Sequence, residues 1–457
     1  MKRLFGTDGI RGVAGESPLD AATVRLFGAA LGRVVQQEIR TRKDQHTPTR
    51  AAVVLGRDTR ESGDWLRNAV ACGLASEGVH AIDAGVITTP GLALCARRGD
   101  FDAGVMISAS HNPFHDNGLK VFGHDGTKLP DAMEREIEAL ILDHGLADPG
   151  NGEDPTPEID PELQRWYIDY LEQCVSGERA FSGARIVLDC ANGSASSIAP
   201  ETFRFHGAEI EVIGAAPDGR NINLDCGSTH LDRMAQVVKD GGYDMGIAFD
   251  GDADRALAVD RKGRIVDGDH ILYLLARRLK QDGALDGDAV VATIMSNLWL
   301  EQRLEAEGIR LLRAPVGDKY VRERMMSEDS VLGGEQSGHI IFSRLATTGD
   351  GILTGLLLLE TLKRSDQPLE AILDGITPCP QVLLNVRVSE KPDLREHATI
   401  GPAVRSAEES LGSEGRVVLR YSGTEPLARV MVEGNDAGQV KRHAEDLVAV
   451  IERELGG

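Results

Sequence analysis

Short apolar runs alternate along most of this chain with segments whose apolar residues recur at helical spacing. The runs at 51–55, 103–107, 185–188, 245–249, 289–295 and 331–332 read as buried strands. The periodic segments at 21–39, 64–77, 131–144, 161–174, 269–281, 298–307 and 349–363 read as helices. Such alternation predicts α/β domains with parallel or mixed sheets. The last stretch changes character. It predicts a strand at 381–388, a helix at 394–411, strands at 416–421 and 428–433, and a closing helix at 437–455, together a small α+β unit. Two stretches read as linkers: 148–161, rich in Pro, Gly and acid, and 365–380, which carries Pro368, Pro378 and Pro380. No short-period repeat is visible, which disfavours solenoids and propellers.

A chain of 457 residues is too long for one hydrophobic core. The linkers predict boundaries near 150 and 370; a further one after the acidic loop, which sequence pattern alone does not fix, would give units at 1–150, 151–255, 256–370 and 371–457. The formal net charge of -22 argues against a general nucleic-acid binder, although local arginine loops can still hold an anionic substrate. The six cysteines are scattered with no Cys-x-x-Cys pair, the pattern of reduced thiols rather than of a zinc or redox site. Met1-Lys2-Arg3 leads into Leu4-Phe5 and then polar residues, without a signal-peptide core, and the run 356–359 is too short to span a bilayer. The expectation is a cytoplasmic protein with no membrane segment.

Five loops carry candidate chemistry. Ser108-Ala109-Ser110-His111-Asn112-Pro113 follows the apolar run 103–107, and a serine displayed at a strand end can be a nucleophile. The same residues also make turns for local reasons. Asp250-Gly251-Asp252-Ala253-Asp254-Arg255 follows the run 245–249, and its alternate carboxylates can converge on a hard cation. The loop opens like an EF-hand, but Arg255 and Arg261 stand where the glycine and the bidentate glutamate should be, so magnesium is favoured over calcium. Arg420-Tyr421-Ser422-Gly423-Thr424-Glu425-Pro426 combines hydroxyls, a glycine and arginine into an anion site, to which Arg429 could add a second fork. Gly334-Glu335-Gln336-Ser337-Gly338-His339 offers groups suited to sugar hydroxyls. Near the start, Gly6-Thr7-Asp8-Gly9-Ile10-Arg11-Gly12 resembles Gly56-Arg57-Asp58-Thr59-Arg60 in character; either could be a salt-bridged structural loop, and Arg11 is the better phosphate contact because glycines flank it. Lys120 lies ten residues after Ser110; near a metal and an arginine its pKa would fall, making it a proton shuttle, with His111 the second choice.

Taken together and in this order, the loops resemble those of the α-D-phosphohexomutase superfamily, over essentially the whole chain. The resemblance implies three related α/β domains with mixed sheets and a smaller, lid-like C-terminal α+β domain around a central cleft. It implies that Ser110 is the phosphorylated nucleophile and that Asp250, Asp252 and Asp254 bind magnesium with a phosphoserine oxygen. Glu335, Ser337 and His339 would meet the sugar. Arg420, Ser422, Gly423, Thr424 and Arg429 would grip the phosphate not being transferred, and Arg255 would offset charge during transfer. Gln336 and the pair Ser108-Ala109 are similar to the glucosamine branch. That implies interconversion of glucosamine 6-phosphate and glucosamine 1-phosphate through a 1,6-bisphosphate, with a hexose 1,6-bisphosphate as activator; glucose or mannose phosphates are the alternative. Lys319, a substrate-binding candidate, stands where arginine is common in the family, and Tyr421 where lysine is common. Phe249-Asp250-Gly251-Asp252 also looks like the opening of a phosphoaspartate phosphatase, but Asp254 occupies the position where that class carries threonine. A non-catalytic sugar-phosphate sensor is the remaining rival. The partner implied is a small sugar phosphate, with no nucleic acid and no membrane; a homodimer is one option for the assembly.

Overall fold

The computed structural model describes residues 4–6, 8–41, 51–143, 146, 155–177, 179–365, 367–422 and 426–456. The first sheet is built from β1 (Ile10–Val13), β2 (Ala52–Arg57), β3 (His80–Val86), β4 (Ala103–Ile107) and β5 (Asp116–Gly123). Helices α1 (Ala21–Thr41), α2 (Gly63–Ser76), α3 (Thr89–Arg98) and α4 (Asp131–Leu142) cover it. The strand order is β1-β5-β4-β2-β3. Next come α5 (Pro161–Gln173), β6 (Arg185–Asp189), α6 (Ala195–Phe205), β7 (Glu209–Ile213), α7 (Asp232–Gly241), β8 (Met245–Phe249), β9 (Ala256–Asp260) and β10 (Ile265–Val266). They form a second sheet in the order β10-β9-β8-β6-β7. The third sheet, β12-β11-β13-β14, uses β11 (Ala289–Thr293), β12 (Arg310–Ala314), β13 (Leu332–Gly334) and β14 (Ile340–Phe342). Around it lie α8 (Gly268–Gln281), α9 (Leu298–Ala306), α10 (Asp318–Ser327) and α11 (Gly351–Ser365), followed by the short α12 (Leu369–Ile372). The C-terminal unit holds β15 (Gln381–Arg387), α13 (Ile400–Leu411), β16 (Gly415–Tyr421), β17 (Leu427–Gly434) and α14 (Ala437–Leu455), in an antiparallel sheet ordered β15-β17-β16.

The first three sheets share one plan. In each, three strands run parallel (β3-β2-β4, β7-β6-β8 and β12-β11-β13), and a fourth returns antiparallel beside the last of them: β5, β9 and β14. The hairpins β4–β5, β8–β9 and β13–β14 are therefore topological equivalents. Their connections are the serine, aspartate and Gly334–His339 loops picked out from the sequence. A parallel strand covered on both faces must be apolar throughout, and β4, β8 and β11 are buried at every position.

The acidic loop closes a hairpin rather than a domain. The boundary expected at 255 falls between β8 and β9, which pair antiparallel, and the second sheet continues to Val266. One continuous core joins the second and third sheets, including Phe203, Phe249, Leu272, Leu304 and Leu356. The first sheet and the C-terminal unit have cores of their own.

Several elements differ from the sequence expectation. Helix α13 begins at Ile400 rather than 394, because Asp393 accepts from the amides of Arg395 and Glu396, and His397 Nδ1 from those of Thr399 and Ile400, tying that stretch into turns. The linker expected at 148–161 has residues 148–154 outside the described region; beyond them, Ile159 bridges β3 at Asp83. The end of the helix expected at 131–144 likewise lies outside the described residues at His144. No helix among the described residues is long and apolar enough to cross a membrane.

Candidate active site

Strand β4 delivers Ser110 to the edge of the second sheet's acidic loop. Ser110 is 1% exposed and sits at φ 54°, the left-handed region that non-glycine residues rarely adopt. Its Oγ donates to Asp250 Oδ2 at 2.5 Å. The approach is close: a Cβ on Gly251 would lie 2.6 Å from the Ser110 carbonyl oxygen, so only glycine fits beneath the serine.

Asp250, Asp252 and Asp254 are all buried, and each offers an oxygen within 4.8 Å of the others. Asp252 Oδ1 and Asp254 Oδ1 are enclosed with no hydrogen-bond partner among the described residues. Burial, with Asp254 and Asp252 beside it, pushes the Asp250 carboxyl well above the usual range. Two orphaned, buried carboxylate oxygens and a third group resisting ionisation fit a hard divalent cation, so the triad can hold a metal ion.

Lys120, on β5, faces the carboxylates of this loop. Its ammonium is 2% exposed and lies 2.8 Å from Asp252, 3.3 Å from Asp254 and 3.3 Å from Asp8. Burial works to lower its pKa, but Asp252, Asp8 and Asp254 outweigh it and hold the ammonium well above its ordinary value. For Asp252, burial favours the neutral acid, but the Lys120 ammonium and the hydrogen bonds from Lys120 and Thr89 prevail and keep it ionised. His111 Nδ1 lies 3.4 Å from Ser110 Oγ. Burial, helped by Arg255 and Arg11, lowers its pKa to about 4, so it is neutral at pH 7 and suits accepting a proton better than donating one.

Arg11 reaches the Ala109 carbonyl at 3.4 Å and pairs with Asp8. The Arg255 amide donates to Asp250 Oδ1 at 3.2 Å, and its guanidinium is 3.8 Å from Asp254. The Gly334–His339 loop meets the same centre from the third sheet. The Ala256 amide donates to the Gly338 carbonyl at 3.1 Å. Glu335 Oε1 accepts from the Gly317 amide at 3.1 Å, and Gln336 donates to Asp267 at 3.2 Å. Ser337 is half-buried and His339 buried, the latter 3.7 Å from Asp318. Lys319 instead pairs with Asp131 on α4, across from the third unit to the first.

The anion loop closes the β16–β17 hairpin. Arg420 and Arg429 stand directly opposite each other in the register, and burial and Arg429 both lower the pKa of Arg420. Like charges placed face to face are unfavourable unless an anion joins them. Ser422 is buried, and its carbonyl accepts from Lys391 at 2.7 Å. Gly423 and Thr424 lie outside the described residues.

Sequence reasoning missed several residues at this centre. Thr89 donates its hydroxyl to Asp252 Oδ2 at 2.6 Å, and its amide to the Asp252 carbonyl at 2.9 Å. Thr88-Thr89-Pro90, a helix-start signal, could have revealed it: Thr88 caps α3 by accepting from the Gly91 amide. Asp8 gathers Arg11, Lys120 and Lys128, and Lys128 also bonds Asp318 at 2.6 Å. Asn223 and Arg60 grip the serine loop from below.

A buried serine facing a carboxylate triad, on equivalent hairpins of two of three related α/β units, defines a phosphohexomutase-type enzyme. Residues 2–147, 165–263, 267–379 and 383–450 match domains I, II, III and the C-terminal domain of phosphoglucomutase/phosphomannomutase. The chain is 48% identical over 455 residues to the phosphoglucosamine mutase of Solibacter usitatus, spanning 100% of this chain and 99% of that one. It belongs to the phosphoglucomutase/phosphomannomutase family, in the branch of the phosphoglucosamine mutases. Among solved structures, a phosphoglucomutase/phosphomannomutase family protein of Burkholderia thailandensis superposes with TM-score 0.79 at 23% identity, covering 99% of this chain and 98% of that chain. The N-acetylphosphoglucosamine mutase of Aspergillus fumigatus, in complex with GlcNAc-6P and magnesium, superposes with TM-score 0.65 at 18% identity, covering 98% of this chain and 95% of that one.

Proposed function

We propose that this enzyme interconverts glucosamine 6-phosphate and glucosamine 1-phosphate. The observation that carries the reading is Ser110 Oγ, buried and 2.5 Å from Asp250 at the carboxylate triad, in a chain so similar to phosphoglucosamine mutases over its full length. Ser110 bears a phosphoryl group and donates it to a free hydroxyl of the bound sugar phosphate. The resulting 1,6-bisphosphate turns end for end and returns its other phosphoryl group to Ser110. A hexose 1,6-bisphosphate would then act as activator by loading Ser110.

Asp250, Asp252 and Asp254 would hold magnesium together with an oxygen of phosphorylated Ser110; when bound, the ion supplies positive charge against the transferring phosphoryl group. Arg255 and Arg11 add fixed positive charge beside the serine. His111, neutral at physiological pH, is placed to take a proton near Ser110. In this reading Lys120 is first a counterion of the acidic loop; it reaches proton transfer only when another cation relieves it of that duty. Glu335, Ser337 and His339 orient the sugar. Arg420, Ser422, Gly423, Thr424 and Arg429 hold the distal phosphate, so two separate anion sites serve the two ends of the bisphosphate. Lys319 reaches substrate by leaving Asp131. The domain division we adopt is 1–150, 151–266, 267–379 and 380–457, which keeps the β8–β9 hairpin whole.

The test compares kcat/KM on glucosamine, glucose and mannose phosphates, with magnesium and a trace of hexose 1,6-bisphosphate. A preference of about a hundredfold for glucosamine, worth about 3 kcal/mol in the transition state, is expected. Equal or better rates on glucose would overturn the substrate assignment. Trapped phosphoenzyme mapping to Asp250 instead of Ser110 would overturn the mechanism in favour of a phosphoaspartate phosphatase.

A further inference from the structure

We infer that Arg60, assisted by Asn223, is the positioning residue that aims Ser110 at the acidic loop. The inference rests on Ser110 being the nucleophile. The Arg60 side chain is completely enclosed. Its Nε donates to Asp58 Oδ2 at 2.9 Å. Its remaining N–H groups are spent on carbonyls of the serine loop: Ser110 at 2.9 Å, Asn112 at 2.8 Å, Asp116 at 3.0 Å, and Pro113. From the second unit, Asn223 Nδ2 donates to two of the same oxygens, Ser110 at 2.9 Å and Asn112 at 3.1 Å.

The other side of Ser110 is tied to the same ion pair. The Ser110 amide donates to Ser108 Oγ at 2.9 Å, and Ser108 Oγ donates to Asp58 Oδ2 at 2.6 Å. Both backbone polar groups of Ser110 thus trace to Asp58–Arg60. A non-glycine residue in the left-handed region is strained, and it persists only where its surroundings over-determine it. With the amide and carbonyl both fixed, Cβ has one direction available, and it carries Oγ to Asp250.

The segment bearing Arg60 also sets the spacing between units. Thr59 Oγ1 donates to the Asn192 carbonyl at 2.6 Å, and the Glu61 amide to the Gly219 carbonyl at 2.9 Å. Arg60 therefore holds the serine loop in register with the sheet that carries the carboxylates. A lysine could keep the charge but not the planar fork that serves several carbonyls at once.

The experiment uses full-length Arg60→Lys and Asn223→Ala with glucosamine 6-phosphate, magnesium and a hexose 1,6-bisphosphate. It measures kcat, KM and the rate at which phosphorylated Ser110 loses its phosphate to water, each per folded molecule. Misplacing a reacting atom by about 1 Å costs on the order of 100-fold, so kcat of Arg60→Lys should fall by about that factor. KM should stay within about threefold, because the sugar and phosphate loops are untouched. Asn223→Ala should lose about tenfold in kcat by the same route. A lower melting temperature with kcat per folded molecule unchanged would reduce Arg60 to a structural role and overturn the inference. If Arg60→Lys does not fold, Asn223→Ala decides alone: kcat within about twofold of the parent overturns it. Ser110→Ala separates the two layers. Activity in that variant would sink the nucleophile assignment, whereas an inactive Ser110→Ala beside fully active Arg60→Lys and Asn223→Ala would sink the positioning role alone.

Discussion

Lys120 Nζ donates to Asp252 Oδ2 across 2.8 Å, joining the first sheet to the acidic loop of the second. Removing one partner of a buried ion pair strands the other, at a cost of about 3–5 kcal/mol. Lys120→Met should therefore lower the melting temperature of the metal-free enzyme markedly. Added magnesium should restore more stability to this variant than to the parent, because it would supply the charge that the lysine provided. Thermal melts with and without the ion, read side by side, check this; equal magnesium shifts in both proteins would refute it.

Ser110→Ala should reduce turnover by at least about a thousandfold, since the Thr89 hydroxyl beside the triad is already donated to Asp252 at 2.6 Å. Incubation with labelled hexose bisphosphate should leave this variant unlabelled. Retention of more than a few per cent of activity or label would count decisively against the assignment.

Arg429→Ala should weaken binding of the distal phosphate. Losing a charge-assisted hydrogen bond costs about 1.5–3 kcal/mol, a KM rise of roughly tenfold to a hundredfold. Because the grip is needed in both orientations of the bisphosphate, the variant should also release more of that intermediate into solution. Chromatographic detection of free bisphosphate during turnover would reveal it, and an unaltered KM with no released intermediate would contradict the proposal.

Asp350 offers a pH prediction away from the triad. It is fully buried, accepts from Tyr167 at 2.9 Å and from the Leu353 amide at 2.9 Å, and burial raises its pKa to about 7. The folded protein thus holds this proton more tightly than the unfolded chain. Stability from this group is fully present below the unfolded value near 4 and declines as pH rises towards 7. Asp350→Asn mimics the protonated acid, so its stability relative to the parent should improve between about pH 4 and pH 7 and then level off. Urea midpoints across that range would show the trend, and a constant difference would disprove it.

Much of this architecture was legible because the functional loops follow strands buried on both faces. The runs at β4 and β8 announced both a strand and the loop after it. Other elements hid for physical reasons. Strand β3 carries Asp83 in its interior, which breaks the apolar pattern and is acceptable because Arg67 and the Gly85 amide both reach it at 2.7 Å. Helix α10 buries only Val321 and Met325 on a strongly charged surface, too narrow a stripe to register as periodic. Thr89 escaped because its partner Asp252 is 163 residues away, and Arg60 because its roles are to backbone carbonyls, which no sequence pattern displays. Lys120 was found, but not that Asp8 arrives from a separate loop and adds to the pull of the acidic triad on its ammonium.

The core shared by the second and third sheets makes them one cooperative thermodynamic body. The carboxylate triad and the Gly334–His339 loop both ride on that block, and neither can shift without disturbing the other. The serine loop is pinned to that block through Asn223, Lys120 and Thr89, whereas the arginine hairpin belongs to a separately cored unit. When a bisphosphate turns over in the cleft, the phosphoryl carrier, the sugar-recognition loop and the charge-bearing loop act as the anvil, and the distal-phosphate grip does the accommodating.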